Sequence, residues 1–463
     1  MSVSSVFNAR EHYLGVFREQ AARLGGANLP WLKNARVRAI EQFAELGFPT
    51  TKHENWKYTS LASLDGRGLQ PSVPGQPHPD GMASGHGVAS GHGVASGHCL
   101  AAIANLKLDS EAHLLVFING HYSAAHSSLK ALPNGLILAD INTVLNTHPE
   151  KLERYFGEAK YATGVGALNG ALFADGYVLI VPERTEVEAA IHVLFLQTAG
   201  DLIANVKNFI VAETGSRARV IEHFAALGEF GYFNNISTEI NTARDARIEH
   251  LKLQQESASA THIADIRATQ AQASEFTSYS FALGGILSRN DIATYFDGEH
   301  GNCVMNGLYL TQGKQVVDHH TRIDHAKPRC VSREFYKGIL DGTSRAVFNG
   351  KVIVHRDAQQ TDASQSNRNL LLSENAEVDT KPELEIYADD VKCAHGATVG
   401  QLDANQLFYL RTRGIDEISA RTLLIFAFAE DLVSGLTYLP LRQRMEHILM
   451  SRLPDADLLK EFL

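Results

Sequence analysis

The sequence predicts a mainly β core bounded by helical regions at both ends. Three observations lead there. From about Val178 to Asp403, short strand-like runs recur about every dozen residues, β-branched and alternating, with Gly, Asn or Asp at many joints. Long helical patterns are absent between them, which removes repeated βαβ units. Before and after this stretch, apolar residues return every three or four positions, the period of a helix. Even spacing without helices fits a sandwich, a barrel or a solenoid, and pattern alone leaves all three open.

A chain of 463 residues has room for two or three domains and a sizeable core. Hydrophobic content of 44% and charged content of 20% are ordinary for a globular protein. The net charge of −10 argues against nucleic acid as the main partner. No apolar run is long enough to span a bilayer, and MSVSSVFNAREHYLGVF lacks the basic-then-apolar order of a secretory signal. Cys99, Cys303, Cys330 and Cys393 show neither CxxC pairing nor zinc-finger spacing, and read as reduced thiols of a cytoplasmic protein.

In chain order, residues 1–65 read as an N-terminal helical region. Tyr13, Leu14, Phe17, Ala21 and Leu24 recur at helical steps, and Gly25-Gly26 should stop that helix. A second helix is expected from about Pro30 to Gly47. In KHENWKYTSLASL, residues 52–64, Trp56 and Tyr58 read as packing anchors before anything functional. Residues 66–99 read as a flexible linker rich in Pro, Gly and His. It holds a six-residue repeat, ASGHGV, over residues 83–98. His86, His92 and His98 form a His-rich tract that is a weaker candidate for metal binding. Residues 100–176 read as a mixed α/β connection, with strands in HLLVFING and LILADI and a helix in THPEKLERYFGE. Residues 177–403 are the β core and residues 404–463 a helical domain. Asp403 is an expected N-cap and Gly414 a stop. The wide apolar set of ISARTLLIFAFAEDLVSGL reads first as core, and PLRQRMEHILMSRL as a third helix with Pro440 near its start.

Little in the chain points to catalysis. GLYLTQGKQ, the nearest approach to a phosphate-binding loop, has one residue too many before Gly313-Lys314 and ends in Gln315 instead of Ser or Thr. Neither GxSxG nor HExxH occurs. In VDHHTRIDH, residues 317–325, adjacent His319 and His320 face opposite ways on a strand, while Asp318 and His320 share a face. Imidazoles and carboxylates hydrogen-bonded along the structure are the weightier reading there. Cys303 and Cys330 read as buried.

The stretch with the most chemistry is VKCAHGATVGQLD, Val391 to Asp403. On a strand, Cys393 and His395 point the same way and make half a metal site. Two ligands hold an ion poorly, so such a pair would need others, most simply from another chain. On spacing alone, a buried Cys beside a hydrogen-bonded His is the weightier reading.

TDASQSNRNLLLSENAEVDTKPELEIYADDVKCAHGATVGQLDANQLFYLRTRGI, Thr361 to Ile415, resembles the SufB/SufD family of iron–sulfur cluster assembly scaffolds. KCAHGA stands nearer the SufD side than the VEHEA-like text of SufB. The similarity extends from about Glu54 to the C-terminus, including WKYT and DHHT text. The resemblance implies a right-handed parallel β-helix whose last coil leaves an open edge. It also implies a non-catalytic scaffold subunit of a SufBCD-like complex, serving cluster assembly or iron acquisition. His395 would be an iron or cluster ligand, with Cys393 a second ligand or an interface residue. The edge at 391–403 would meet a SufB-like chain and helices 404–463 a SufC-like ATPase. A homodimer would form when the chain is alone. Transient iron or a cluster, and reduced flavin in the complex, are the cofactors implied, none tightly held by this chain alone. Two readings compete: a β-helix enzyme acting on polysaccharide, which would want a secretion signal, and a metal buffer built on the His repeat.

Overall fold

The computed structural model describes residues 8–73, 92–156 and 161–453. Helices α1 (Ala9–Gln20) and α2 (Pro30–Leu46) open the chain. Asn8 caps α1 by accepting from the amides of Arg10 and Glu11, and α1 ends before the predicted Gly25-Gly26 stop. Pro30 starts α2 where no N–H is needed, and Gly47 closes it at φ 59°. A 3-10 turn at Glu54–Trp56 and the one-turn α3 (Ala62–Asp65) follow. The stretch read as a linker contains β1 (Gln70–Pro71) and the start of α4 (His92–Leu106). Its third repeat copy is therefore helical, because the following Cys99 and Ile103 bury against the β core and draw the segment into α4. Residues 74–91, with His86, lie outside the described residues.

Next come β2 (His113–Ile118), β3 (His121–Tyr122), β4 (Ile137–Asp140), α5 (Ile141–Thr147), α6 (Glu150–Glu153) and α7 (Gly164–Leu172). The pattern of the sequence showed neither α5 nor α7. Every residue of α7 but Gly166 is buried, so it has no polar face to give an amphipathic period. It packs so tightly that a Cβ on Gly164 would lie 1.7 Å from the Gly47 carbonyl oxygen.

The core is a parallel β-solenoid, as the resemblance implied. Its strands are β5 (Tyr177–Val181), β6 (Ile191–Gln197), β7 (Leu202–Ala212), β8 (Arg217–Ala226), β9 (Phe233–Thr242), β10 (Arg247–Gln255), β11 (Thr261–Gln270) and β12 (Glu275–Ala282). They continue as β13 (Leu287–Phe296), β14 (Asn302–Thr311), β15 (Val316–His325), β16 (Val331–Leu340), β17 (Arg345–Val354), β18 (Thr361–Leu371), β19 (Glu377–Ile386) and β20 (Val391–Gly400). Odd-numbered strands stack in one sheet and even-numbered strands in the other, each pairing in parallel with the strand one coil away. Strands β9, β13, β16 and β18 escaped the sequence reading. Their inward positions hold Asn, Ser, Thr, Gln and Glu, so they lack the apolar alternation that marks a strand.

Inward side chains of both sheets form the largest core, from Leu115 to Ala388. The N-terminal helices and α7 cover the outer face of the odd sheet. Asn169 of α7 stitches them down, donating to the carbonyls of Val206 (2.9 Å) and Asn235 (2.8 Å). The even sheet is covered by α4, α9 (Glu417–Val433) and α10 (Leu439–Arg452). Between β20 and α9 lies α8 (Ala404–Thr412), capped by Asp403 as expected; Gly414 follows at φ 87°. Among the described residues, no helix is long and apolar enough to cross a membrane.

Candidate metal centre at the open end of the solenoid

Strands β19 and β20 are the terminal strands of their sheets, so each has a neighbour on one side only. The register of β20 on β18 sets Cys393 opposite Ala363 and His395 opposite Gln365. Ala363 and Gln365 are buried, at 2% and 3% exposure, whereas Asp362, Ser364 and Ser366, which alternate with them, are not. The register therefore turns Cys393 and His395 toward the lumen at its open mouth. Cys393 and Val391 pack against the main core, while His395 is exposed. Burial pushes the Cys393 thiol above its ordinary value, against a hydrogen bond from the Ala363 backbone that lowers it. A metal binding there must displace a proton.

The two terminal strands differ in kind. On its outer face β19 carries Glu377, Asp379, Lys381, Glu383 and Glu385, and it contains Pro382, which cannot donate. Charges and proline are the features that blunt a free sheet edge. By contrast β20 has Lys392 as its one full charge and no proline, and its outward positions are otherwise Ala394, Gly396, Thr398 and Gly400. A Cβ on Gly396 or Gly400 would meet nothing within 4 Å. The β20 edge is open to another strand.

Below His395 the same rung continues inward. Glu334 of β16 pairs in register with Gln365, and Gln365 with His395. Gln365 Nε2 donates to Glu334 Oε2 at 2.6 Å. Burial pushes the Glu334 carboxyl up to about 7, against the hydrogen bond from Gln365 that lowers it. Neither residue was singled out in the sequence. Gln365 stands in the quoted family-like text, two positions from Ala363 on the inward period, and that is the signal that would have found it.

Among the described residues, no group of three or more His, Cys, Asp or Glu is arranged to hold a metal ion. Cys393 and His395 therefore stand at the mouth as a candidate pair, a thiol and an imidazole with no third such group gathered beside them among the described residues. The other candidates resolve otherwise. His319 is fully buried in the lumen, its ring stacked on Tyr309 with centroids 5.4 Å apart and tilted against Tyr336. His320 lies on the opposite face, Nε2 3.0 Å from Asp318 Oδ1. Cys303 and Cys330 are buried, and burial holds both thiols well above their ordinary value. Lys314 sits in the turn between β14 and β15, beside Gly313 at φ 60°, with no helix to receive a phosphate. A groove of about 820 Å³ runs between the N-terminal segment and the odd sheet. Charges along it are paired within the chain, Asp265 with Arg267, Arg289 with Asp291, and Arg322 with Asp324.

A family model described as the SufBD core domain of SUF-system FeS cluster assembly matches residues 195–428. A model described as the SufBD protein N-terminal region matches residues 7–67 and 106–193. The likeness thus begins well before Glu54, and the interval it skips contains the ASGHGV repeat. The iron–sulfur cluster assembly protein SufD of Escherichia coli is 35% identical over 90% of this chain and 92% of its own length. A SufBD family protein of Synechocystis is 32% identical over 95% of each chain. SufD of Bacillus subtilis is 25% identical over 94% of this chain and 96% of its own.

Proposed function

The chain belongs to the SufBD family of the SUF iron–sulfur cluster assembly system, and on that premise we propose that it is a non-catalytic scaffold subunit acting in the cytoplasm. The observation that carries this reading is the open β20 edge with Cys393 and His395 turned into its mouth. A SufB-like strand pairing with β20 would satisfy its free main-chain groups. It would also bring further ligands to an incomplete pair. The cargo is iron or a nascent cluster, held between the two chains. His395 binds as a neutral imidazole. Cys393 either ligates after losing its proton or packs at the interface. When the SufB-like chain is absent, the same edge would pair two copies of this one.

A SufC-like ATPase would dock on the C-terminal helices. None of the residues of α8 is buried, and Phe408, Tyr409 and Ile418 are exposed at 69%, 56% and 52%. Ile425, Phe426, Ala429, Leu432 and Val433 of α9 are buried in the core shared with the even sheet.

Purification of the tagged chain from its own cells tests the reading. A SufB-like chain and a SufC-like ATPase should accompany it, with iron or sulfide in the complex. Recovery of the chain without either partner would overturn it.

A further inference from the structure

We propose that Gln365 is a positioning residue for His395, accepting one ring N–H through Oε1 while Glu334 holds its amide in place. This rests on reading His395 as a ligand.

The three residues occupy one rung position on β16, β18 and β20. In-register side chains on neighbouring parallel strands stand about 4.8 Å apart, within reach of one another. Gln365 Nε2 is committed to Glu334 Oε2 at 2.6 Å. Gln365 Oε1 is buried and makes no hydrogen bond to any described residue, His395 included, so the proposed bond forms when the exposed imidazole turns inward. A buried amide oxygen without a donor is costly, and when Glu334 is ionised, turning the amide over would set its oxygen against the carboxylate. The next inward side chain along this rung is the His395 imidazole. Its neighbours at inward positions cannot do the same work: Ala397 has no side-chain donor, and Cys393 stands over Ala363. Across the lumen, Gly350 leaves the amide its room, since a Cβ there would lie 2.2 Å from Gln365 Nε2. An imidazole with one N–H tied down has one tautomer, and its other nitrogen keeps the lone pair that a metal needs.

The test uses the full chain with histidine ring nitrogens isotopically labelled, His395 being identified by its loss in His395→Ala. One tautomer with a hydrogen-bonded ring N–H is expected. Gln365→Leu should turn it into an averaged mixture. Exchanging the pair, Glu334→Gln with Gln365→Glu, should restore the single tautomer because an acceptor oxygen again faces the ring. In the complex, Gln365→Leu should weaken iron affinity by about tenfold to a hundredfold. Ring signals unchanged in Gln365→Leu would overturn the proposal. If that variant fails to fold, Gly350→Ala, which displaces the amide, is read the same way: a changed tautomer supports the proposal and an unchanged one overturns it. A tautomer that shifts with Gln365 while His395→Ala still loads iron normally leaves the hydrogen bond standing and removes the ligand role.

Discussion

Arg289 and Asp318 form a buried ion pair, Nη1 to Oδ2 at 2.6 Å, beneath the N-terminal segment. Arg289 also donates to the Asn55 carbonyl at 2.8 Å, and its guanidinium lies 3.9 Å from the centroid of Trp56. The Thr59 hydroxyl donates to Asp318. The pair therefore does more than join β13 to β15: it fastens residues 55–59 to the solenoid. Trp56 is the packing anchor expected of it, with a cation beneath its ring.

Removing the cation should loosen that attachment. Arg289→Met leaves the Asp318 carboxylate buried without its main partner, a change that costs about 3–5 kcal/mol in comparable pairs. Denaturant unfolding should show the loss, and limited proteolysis should cut near residues 52–65 while β8–β18 stay protected. Unchanged stability and cleavage would refute the role assigned to Arg289.

Acid should destabilise the solenoid well above the pH at which ordinary carboxylates titrate. Burial lowers His319 to about 3, and His223 and His325 each to about 4. Buried His192 is lowered as well, by desolvation first and by His223 next. Each is neutral in the fold but takes a proton in the unfolded chain below about 6.5. The unfolded state then binds more protons, so stability falls as pH drops from about 6.5 toward 4. Asp175 and Glu334, both pushed up to about 7, and Glu430, also pushed up, act the opposite way over much of that window, but burial holds down His113, His121 and His262 as well as the four imidazoles above. Melting temperature measured from pH 7 to pH 4.5 should decline. His319→Gln should reduce the slope by up to one proton, about 1.4 kcal/mol per pH unit. An unaltered slope in that variant would show that His319 is not neutral in the fold.

His395→Ala is expected to leave the SufB-like and SufC-like chains bound. Pairing along β20 rests on many main-chain hydrogen bonds, each about 1 kcal/mol net, and one imidazole adds little. Iron and cluster content should fall steeply, because few ligands share the ion. Cys393→Ala should be milder if the thiol only packs and equally severe if it ligates. Full complementation of a deletion strain by His395→Ala under iron limitation, with normal iron in the purified complex, would make His395 structural.

Truncation at Asp403 is a poor probe of the ATPase surface. It would strip α9 and α10 from Leu251, Leu253, Phe281 and Leu308 and bare an apolar sheet face. The surface variant Phe408→Ala with Tyr409→Ala avoids this, since both rings are exposed. ATPase co-purification should drop at least tenfold with the melting temperature unchanged. Retained binding would place the docking surface elsewhere.

Much was determined by the sequence alone. Helical periods placed α1, α2, α9 and α10, because an amphipathic helix writes its buried face into consecutive turns, while α8, which buries no residue, was marked by its Asp403 cap and Gly414 stop. The two-residue step put Cys393 and His395 on one side of a strand, and the Thr361–Ile415 text pointed to the family. Which side that was, lumen or outer surface, was decided only by the register on Ala363 and Gln365. The polar strands β9, β13, β16 and β18 were hidden for the same reason. Their Asn, Gln and Glu find hydrogen-bond partners on the strand one coil away, some thirty residues distant, as Gln365 does in Glu334. Local pattern reads burial as apolar alternation. A solenoid can bury polar side chains because each coil supplies the partners of the next, and that pairing exists only once the coils have stacked.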